Sequence, residues 1–215
     1  MITDSHLRQI RTSQESQRPL SIKTHTFLPA AQAYVDRLLQ VYLEELGVAY
    51  LFDQLSFCIR ELAVNAKKAN TKRVYFQSRG LDIDDPAQYV EGMAHFKRDT
   101  LDDQAVYLEL LKEAGLYVKI EFLKWEKGCS VAVRNNVLVA PTELERVKDK
   151  IAKSHEYASL EDAFGEVLDE SEGAGLGILV LILMLKKLGF GGDFFQFYTM
   201  GEETVARIIL PLTLD

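Results

Sequence analysis

The chain has 215 residues, 47% of them hydrophobic and 27% charged, which is the balance of an ordinary globular domain with a small elaboration. Its formal net charge of −7 argues against nucleic acid as the main partner, because phosphate binding favours a basic surface. The N-terminus lacks the apolar core of a signal peptide, and the apolar run at residues 178–185 is too short to cross a bilayer. Cys58 and Cys129 show no metal-ligand spacing and lie in apolar segments, so we expect reduced core cysteines of a cytoplasmic protein.

The first half of the chain is predicted to contain two strands and two helices after a polar start. Alternating apolar residues predict strands, whereas apolar residues three and four positions apart predict helices. Gly47 suits the end of the first helix, because glycine adopts the left-handed conformation without strain. The predicted elements are a polar segment that is frayed or helical, a strand, two helices and a strand, over residues 1–18, 20–27, 29–46, 51–69 and 72–77.

The second half begins with an irregular stretch, residues 78–115, for which one or two helices are predicted. Beyond it the pattern predicts two strands, a charged helix, an acidic loop, an apolar helix and two strands, over residues 117–125, 129–134, 142–154, 155–172, 178–188, 194–200 and 205–210. These elements favour an α/β (α+β) two-layer sandwich, with a mixed, mainly antiparallel sheet and helices on one face.

Polar residues line one side of the second predicted helix. Glu61, Asn65 and Lys68 recur at helical spacing, roughly 120° from the apolar stripe of the same helix. The amide oxygen can hold a hard cation, the carboxylate can orient or deprotonate a hydroxyl, and the ammonium can neutralise phosphate. The three side chains are therefore able to act on one ligand. The alternative is a solvated face with a Glu–Lys pair.

A glycine cluster precedes the apolar helix. Gly173, Gly175 and Gly177 allow backbone N–H groups to turn toward an anion at the helix N-terminus. The spacing and the acidic loop before it exclude a Rossmann fingerprint, and no Gly-Lys-Ser/Thr follows that would indicate a P-loop. The alternative is a close helix–sheet contact that requires glycine.

Both motifs resemble those of the GHKL (Bergerat-fold) histidine-kinase-like ATPases. Residues 61–69, ELAVNAKKA, resemble the N-box of that family, and residues 173–177, GAGLG, resemble its second glycine box. The resemblance implies ATP and Mg²⁺ as cofactors. It assigns the metal to Asn65, phosphate to Lys68 and a general base to Glu61. It assigns the phosphate-binding loop to Gly173, Gly175, Leu176 and Gly177.

The first glycine box of the family is degenerate in this chain. The family carries D-x-G-x-G, whose aspartate accepts a hydrogen bond from the adenine amino group, whereas this chain has Asn135, Val137 and Val139. The resemblance therefore places Asn135 at the adenine, but β-branched valines resist the backbone conformations that glycine permits. Residues 130–141, SVAVRNNVLVAP, also fit a hairpin with a type I′ turn at Asn-Asn, in which case the nucleotide pocket is built over.

The N-terminal half is nearest in layout to the anti-sigma-factor serine kinase branch, in which a strand and one helix lead into the N-box helix. We therefore divide the chain into a polar segment, residues 1–18, and an ATPase domain, residues 19–215, with a helical insert at about 78–115. The insert is outside the usual pattern of that branch, which favours a partner-binding or dimerisation element. The sequence around His155 resembles a phosphoacceptor box only superficially, because it follows the first glycine box.

Two functions are consistent with these features. The first is a Mg-ATP-binding signal-transduction protein of the cytoplasm and, if it transfers phosphate, a protein kinase acting on a separate partner. The second is a non-catalytic interaction module that kept the fold and lost nucleotide turnover, which Val137 and Val139 favour. A fragment of a modular kinase is disfavoured, because the chain runs from Met1 to a C-terminal strand. The expected partners are a nucleotide and a regulatory protein, with a homodimer left open and with neither nucleic acid nor a membrane.

Overall fold

A five-stranded antiparallel sheet forms one layer of the protein. The computed structural model describes residues 4–157, 176–190 and 194–212. Within these ranges the strands lie in the order β1-β2-β3-β5-β4, and every adjacent pair is antiparallel, which confirms the predicted mainly antiparallel sheet. The strands are β1 (Leu20–Thr24), β2 (Val118–Trp125), β3 (Gly128–Asn135), β4 (Phe195–Met200) and β5 (Glu203–Pro211).

Seven α-helices lie in the same ranges. They are α1 (Asp4–Ser16), α2 (Pro29–Glu45), α3 (Phe52–Arg79), α4 (Pro86–Asp102), α5 (Gln104–Glu113), α6 (Pro141–Ser154) and α7 (Leu176–Lys187). Gly47 follows α2 with a φ of +74°, as the sequence predicts, and a short 3₁₀ helix at Ala49–Leu51 leads into α3.

The main hydrophobic core lies between the sheet and the helices outside the insert. Val118, Ile120 and Phe122 of β2 are buried, and the register places Val131 of β3 beside Phe122 and Ile208 of β5 beside Val131. Buried residues that α1, α2, α3 and α7 contribute to the same core include Ile10, Leu39, Ile59 and Leu181. The helices therefore pack on one face of the sheet, as predicted.

The opposite face of the sheet carries charged side chains. Glu121 of β2 forms an ion pair with Arg134 of β3, and Glu203 of β5 forms ion pairs with Lys119 and Arg134. The Tyr117 hydroxyl donates a hydrogen bond to Glu203 over 2.7 Å. A charged face of this kind is not suited to packing against a second hydrophobic layer. An antiparallel sheet usually has one face covered by the core and the other facing solvent.

Residues 72–77 are helical, so the strand predicted there is wrong. They belong to the C-terminal turns of α3, which ends before Gly80 in the left-handed conformation. Val74, Tyr75 and Phe76 are all buried, because α4 and α5 pack around this end of the helix. Burial on several sides removes the 3.6-residue period by which a helix is recognised.

The 78–115 insert has a hydrophobic core of its own. Its two helices pack on the end of α3 through aromatic rings: Tyr75 meets Phe96 edge-on at a centroid distance of 5.3 Å, and Phe76 stacks on Tyr89 at 5.9 Å. Gly92 of α4 lies against the Phe76 ring, where a Cβ would be 2.5 Å from the nearest ring carbon. The insert and the end of α3 thus form a second core beside the main one.

Asn135 and Asn136 do not form the hairpin turn that the sequence also allowed. Asn135 is the last residue of β3 and pairs with Thr204 of β5. The Asn136 side-chain oxygen accepts a hydrogen bond from the backbone N–H of Tyr117 over 2.7 Å. The chain then leaves the sheet and enters α6 at Pro141, so no second strand builds over the end of β3.

The two cysteines have the environment that the sequence predicts. Cys58 and Cys129 are buried and carry free thiols, and burial raises the pKa of each thiol to about 12. In the part of the chain that is described, no helix combines the length and apolar character needed to cross a bilayer.

Candidate functional site

A cavity opens between the helices and the end of the sheet at which β3 stops. Its volume, measured as the space that the centre of a water molecule can occupy, is about 170 Å³. A cavity that holds one water needs roughly a tenth of that space. Helices α3, α6 and α7 and strands β3, β4 and β5 contribute to its lining. Its apolar lining consists mainly of Leu62, Ala66, Val133, Ile178, Phe197 and Ala206. The cavity is therefore large enough for part of an organic ligand.

Polar residues of α3 line one wall of the cavity. Asn65 and Lys68, which the sequence singled out, both line it and both are solvent-exposed. Because α3 continues to Arg79, Lys72 extends the same stripe by one turn, and it lines the cavity as well. This wall therefore presents an amide and two ammonium groups.

Asn135 lines the cavity at the end of β3 and is only 4% exposed. Its side-chain nitrogen donates to the side-chain oxygen of Asn70 over 3.1 Å, and the Asn70 nitrogen donates to the Tyr117 carbonyl over 2.9 Å. Beside it in β5, the Thr204 hydroxyl donates to the Val137 carbonyl over 2.7 Å. Among the described residues the side-chain oxygen of Asn135 receives no hydrogen bond.

Charged residues of α3 and α6 meet at the cavity wall. Lys72 is 7% exposed, forms an ion pair with Glu143, and donates to the hydroxyl of Tyr89 in the insert over 3.4 Å. Arg146 and Lys150 of α6 line the same cavity. The insert is therefore in direct contact with a residue of the cavity wall.

The position of Lys68 disfavours its own charge. Lys68 is exposed overall, but partial desolvation of its ammonium, followed by the neighbouring Lys72 ammonium, lowers its pKa, and the carboxylate of Glu143 offsets this only in part. An anionic ligand would supply the opposite charge that this side chain lacks. The wall therefore has the electrostatic character of an anion site.

Glu61 lies beside the first turn of α7. A Cβ added at Gly177 would be 2.4 Å from Glu61 Oε2, so the carboxylate occupies the space that a larger residue would need. Glu61 of α3 and Gly177 of α7 are therefore in contact, and Glu61 is outside the described lining of the cavity. Helix α7 begins at Leu176, whereas Gly173 and Gly175 lie outside the described residues.

Val137 and Val139, which the resemblance aligns with the glycines of the first glycine box, have different environments. Val139 lines the cavity, whereas Val137 offers its carbonyl to Thr204. Neither has a positive φ: among the described non-glycine residues, Gln17 and Phe27 are the ones that do. The valines are accommodated without the backbone strain expected from the family pattern, and Val139 adds apolar surface to the cavity.

Sequence reasoning missed several polar residues of this site. Lys72 was missed because the predicted strand ended α3 too early. Asn70 could have been found from the sequence. It follows Ala66 by four positions and so lies close to the buried stripe of the helix. A buried amide requires hydrogen-bond partners, which marks Asn70 as a member of a polar network. Glu143 and Thr204 are brought to the cavity only by the fold, and no local pattern marks them.

The donor set fits the magnesium nucleotide that the resemblance implies. Over residues 4–157, 176–190 and 194–212, no group of three or more His, Cys, Asp or Glu side chains is placed to hold a metal ion. Mg²⁺ at nucleotide sites takes few protein ligands and completes its shell with phosphates and waters. The amide oxygen of Asn65, at the exposed edge of the cavity, suits such an ion.

No protein-family model matches this chain, and no solved structure matches it. An uncharacterized protein of Treponema pallidum (strain Nichols) is 39% identical to it over 207 residues. The aligned part covers 96% of this chain and 40% of the Treponema protein. The chain thus spans about 40% of the length of this curated relative, whose description names no activity.

Proposed function

We propose that the protein binds Mg-ATP in this cavity and acts in signal transduction as a histidine-kinase-like (GHKL) ATPase. The observation that supports this most is that Asn65, Lys68 and Asn135 line one cavity. The resemblance assigns these residues to the metal, the phosphates and the adenine. Asn65 and Lys68 lie on α3, whereas Asn135 lies at the end of β3. The fold, and not their spacing in the sequence, brings Asn135 to the same cavity as the other two.

Each residue has one role in this proposal. Asn135 accepts a hydrogen bond from the adenine amino group, Asn65 binds Mg²⁺ and Lys68 neutralises phosphate. Glu61 activates the hydroxyl that receives the phosphoryl group. Backbone N–H groups of the glycine cluster bind phosphate; its residues are Gly173, Gly175, Leu176 and Gly177.

If the protein transfers phosphate, we propose that it is a protein kinase with a separate protein as acceptor. Phosphoryl transfer depends mainly on positioning and on neutralising charge, which Mg²⁺ supplies when bound. Among the lining residues that the structure describes, Lys68, Lys72, Arg146 and Lys150 are cationic, and Glu143, the partner of Lys72, is anionic. This balance favours a ligand with several negative charges.

A non-catalytic interaction module is the second candidate, and two observations favour it. Val139 occupies part of the cavity wall where the family carries glycine. The insert exposes three large apolar side chains, with 70% exposure at Val90, 65% at Leu101 and 55% at Val106. Exposed apolar side chains on an insert suit a regulatory protein or a second copy of the chain.

We also propose a cytoplasmic location and no direct role in nucleic-acid binding. The free thiols of Cys58 and Cys129 suit a reducing compartment. The net charge of −7 disfavours a phosphate backbone as partner, even though the cavity itself is rich in cations.

Calorimetric titration with ATP, with and without Mg²⁺, tests the proposal. We expect micromolar binding that depends on Mg²⁺, loss of that dependence in Asn65→Ala, and affinity reduced about tenfold in Lys68→Ala. Gln77→Ala and Lys67→Ala are matched controls on α3 outside the cavity lining and should bind like the wild type. No heat, together with an unchanged Tm at millimolar Mg-ATP, would refute nucleotide binding and leave the interaction module.

A further inference from the structure

We propose that Asn70 determines the base specificity of the cavity by fixing the orientation of the Asn135 amide. The inference takes its ligand from the proposed nucleotide function, but the orientation is a property of the protein alone. In this role Asn70 is a positioning residue, because it acts on the ligand only through Asn135.

A backbone carbonyl at one end fixes the whole chain of hydrogen bonds. The Tyr117 carbonyl can only accept, so the amide nitrogen of Asn70 faces it, at 2.9 Å. The Asn70 oxygen then faces Asn135 and accepts from its amide nitrogen at 3.1 Å. The Asn135 oxygen is therefore directed away from Asn70, and no residue of the described ranges donates to it. Because Asn135 lines the cavity, we take this oxygen as the acceptor that a ligand meets there.

Burial makes the opposite orientation unfavourable. Asn70 is 0% exposed, so water is not available to replace a partner that its side chain loses, whereas Asn135, at 4% exposure, lines the cavity. Rotating the Asn135 amide by half a turn would set its oxygen against the oxygen of Asn70. An unpaired buried acceptor reduces the population of such a state by roughly tenfold or more.

The fixed acceptor selects among purines. Adenine carries an amino donor at the ring position where guanine and hypoxanthine carry an oxo acceptor. The Asn135 oxygen pairs with the amino group and repels the oxo group. The cavity is therefore specific for adenine nucleotides over oxopurine nucleotides.

The same contact explains why residue 135 is an amide. An aspartate at this position would set a carboxylate oxygen against the Asn70 oxygen, and Asn70 could turn away only by giving up its bond to Tyr117. Asn135 and Asn70 thus form a matched pair. The pair retains the ability to recognise an amino group without a buried charge.

Competition between ATP and inosine triphosphate tests the specificity. We expect the wild type to bind ATP at least about tenfold more tightly. Asn70→Leu frees the Asn135 amide to rotate, so the affinity ratio should fall toward one. Lys68→Ala is the matched control, because it weakens both nucleotides through their shared phosphates and leaves the ratio unchanged. Equal affinities in the wild type, or an unchanged ratio in folded Asn70→Leu, would overturn the inference.

A second measurement needs neither a nucleotide nor a variant. NMR scalar coupling across the hydrogen bond should connect the Asn135 side-chain nitrogen to the Asn70 side-chain carbonyl carbon. Absence of this coupling, or coupling in the reverse direction, would overturn the inference. If neither nucleotide binds the wild type, the proposed function fails. If Asn70→Leu does not fold, the competition experiment has no variant to compare. In both cases the scalar coupling still decides the orientation of the Asn135 amide.

Discussion

Lys72 of α3 and Glu143 of α6 form an ion pair in the wall of the cavity, with side chains that are only 9% and 18% exposed. The pair joins two helices that line the cavity, and the Lys72 ammonium also contacts Tyr89 of the insert. A buried Lys72 ammonium without Glu143 would lower the free energy of unfolding. The negative charge of Glu143, however, also repels an anionic ligand in the cavity.

We expect Glu143→Gln to change stability and ATP affinity in opposite directions. It should lower the free energy of unfolding by about 2–4 kcal/mol, because Lys72 loses its carboxylate. It should tighten ATP binding, because the wall loses a negative charge and Lys72 is released to phosphate. Urea unfolding and calorimetry measure the two effects, with exposed Glu145→Gln on α6 as control. Weaker ATP binding in Glu143→Gln would contradict this role.

ATP affinity should depend on the protonation of Lys68. Burial and the Lys72 ammonium lower the pKa of Lys68 below its ordinary value of 10.5, whereas bound phosphate stabilises the ammonium and raises that pKa again. Binding therefore takes up a proton at alkaline pH, and affinity is highest below the lowered pKa and falls as pH rises through it. Calorimetry in buffers of different ionisation enthalpy measures the uptake. Equal uptake in Lys68→Met and the wild type would assign the proton to another group.

Gly177→Ala should displace Glu61 without unfolding the protein. The added methyl group would lie 2.4 Å from Glu61 Oε2, the end of a flexible side chain that can move. Alanine is favoured over glycine inside a helix by about 1 kcal/mol, so the free energy of unfolding should be unchanged or higher. If Glu61 is the general base, ATP turnover should fall by about a hundredfold in Glu61→Gln with ATP binding retained, and turnover should also fall in Gly177→Ala. Full turnover in Glu61→Gln would exclude that role.

Gly92→Ala should loosen the insert from the end of α3. The new Cβ would lie 2.5 Å from the Phe76 ring, which is itself 1% exposed and enclosed by other aromatic side chains. Overpacking of this kind costs about 1–3 kcal/mol of unfolding free energy, measured in urea. Glu91→Ala, one position earlier and exposed, is the control. Equal stability of the two variants would mean that the insert does not pack on α3 as described.

The fold was predictable where one face of an element is buried and the other is not. In β2, buried residues at Val118, Ile120 and Phe122 alternate with partly exposed ones, and the strand was predicted nearly to its ends. The end of α3 was not predictable in this way. Val74, Tyr75 and Phe76 are buried together by an insert whose position no local pattern reveals.

The cavity was predictable only in part, for a related reason. Asn65 and Lys68 share a face of one helix, so spacing alone placed them together. Asn135 was assigned through the resemblance, and its position in the cavity emerges only when β3 lies beside α3. Lys72 and Asn70 lie on α3 as well, but Lys72 fell in the wrongly predicted strand, and Asn70 lay one residue beyond the predicted helix and the N-box-like motif.

Side-chain amide NMR would locate ATP on the protein most directly. Isotope-labelled protein is titrated with Mg-ATP, and the amide signals of Asn65 and Asn135 are followed together with those of Gln77 on α3 and Gln9 on α1. We expect Asn65 and Asn135 to shift and to saturate at the concentration at which the calorimetric heat saturates, while the two glutamines stay unchanged. Saturable ATP binding without shifts at Asn65 and Asn135 would contradict the cavity as the nucleotide site.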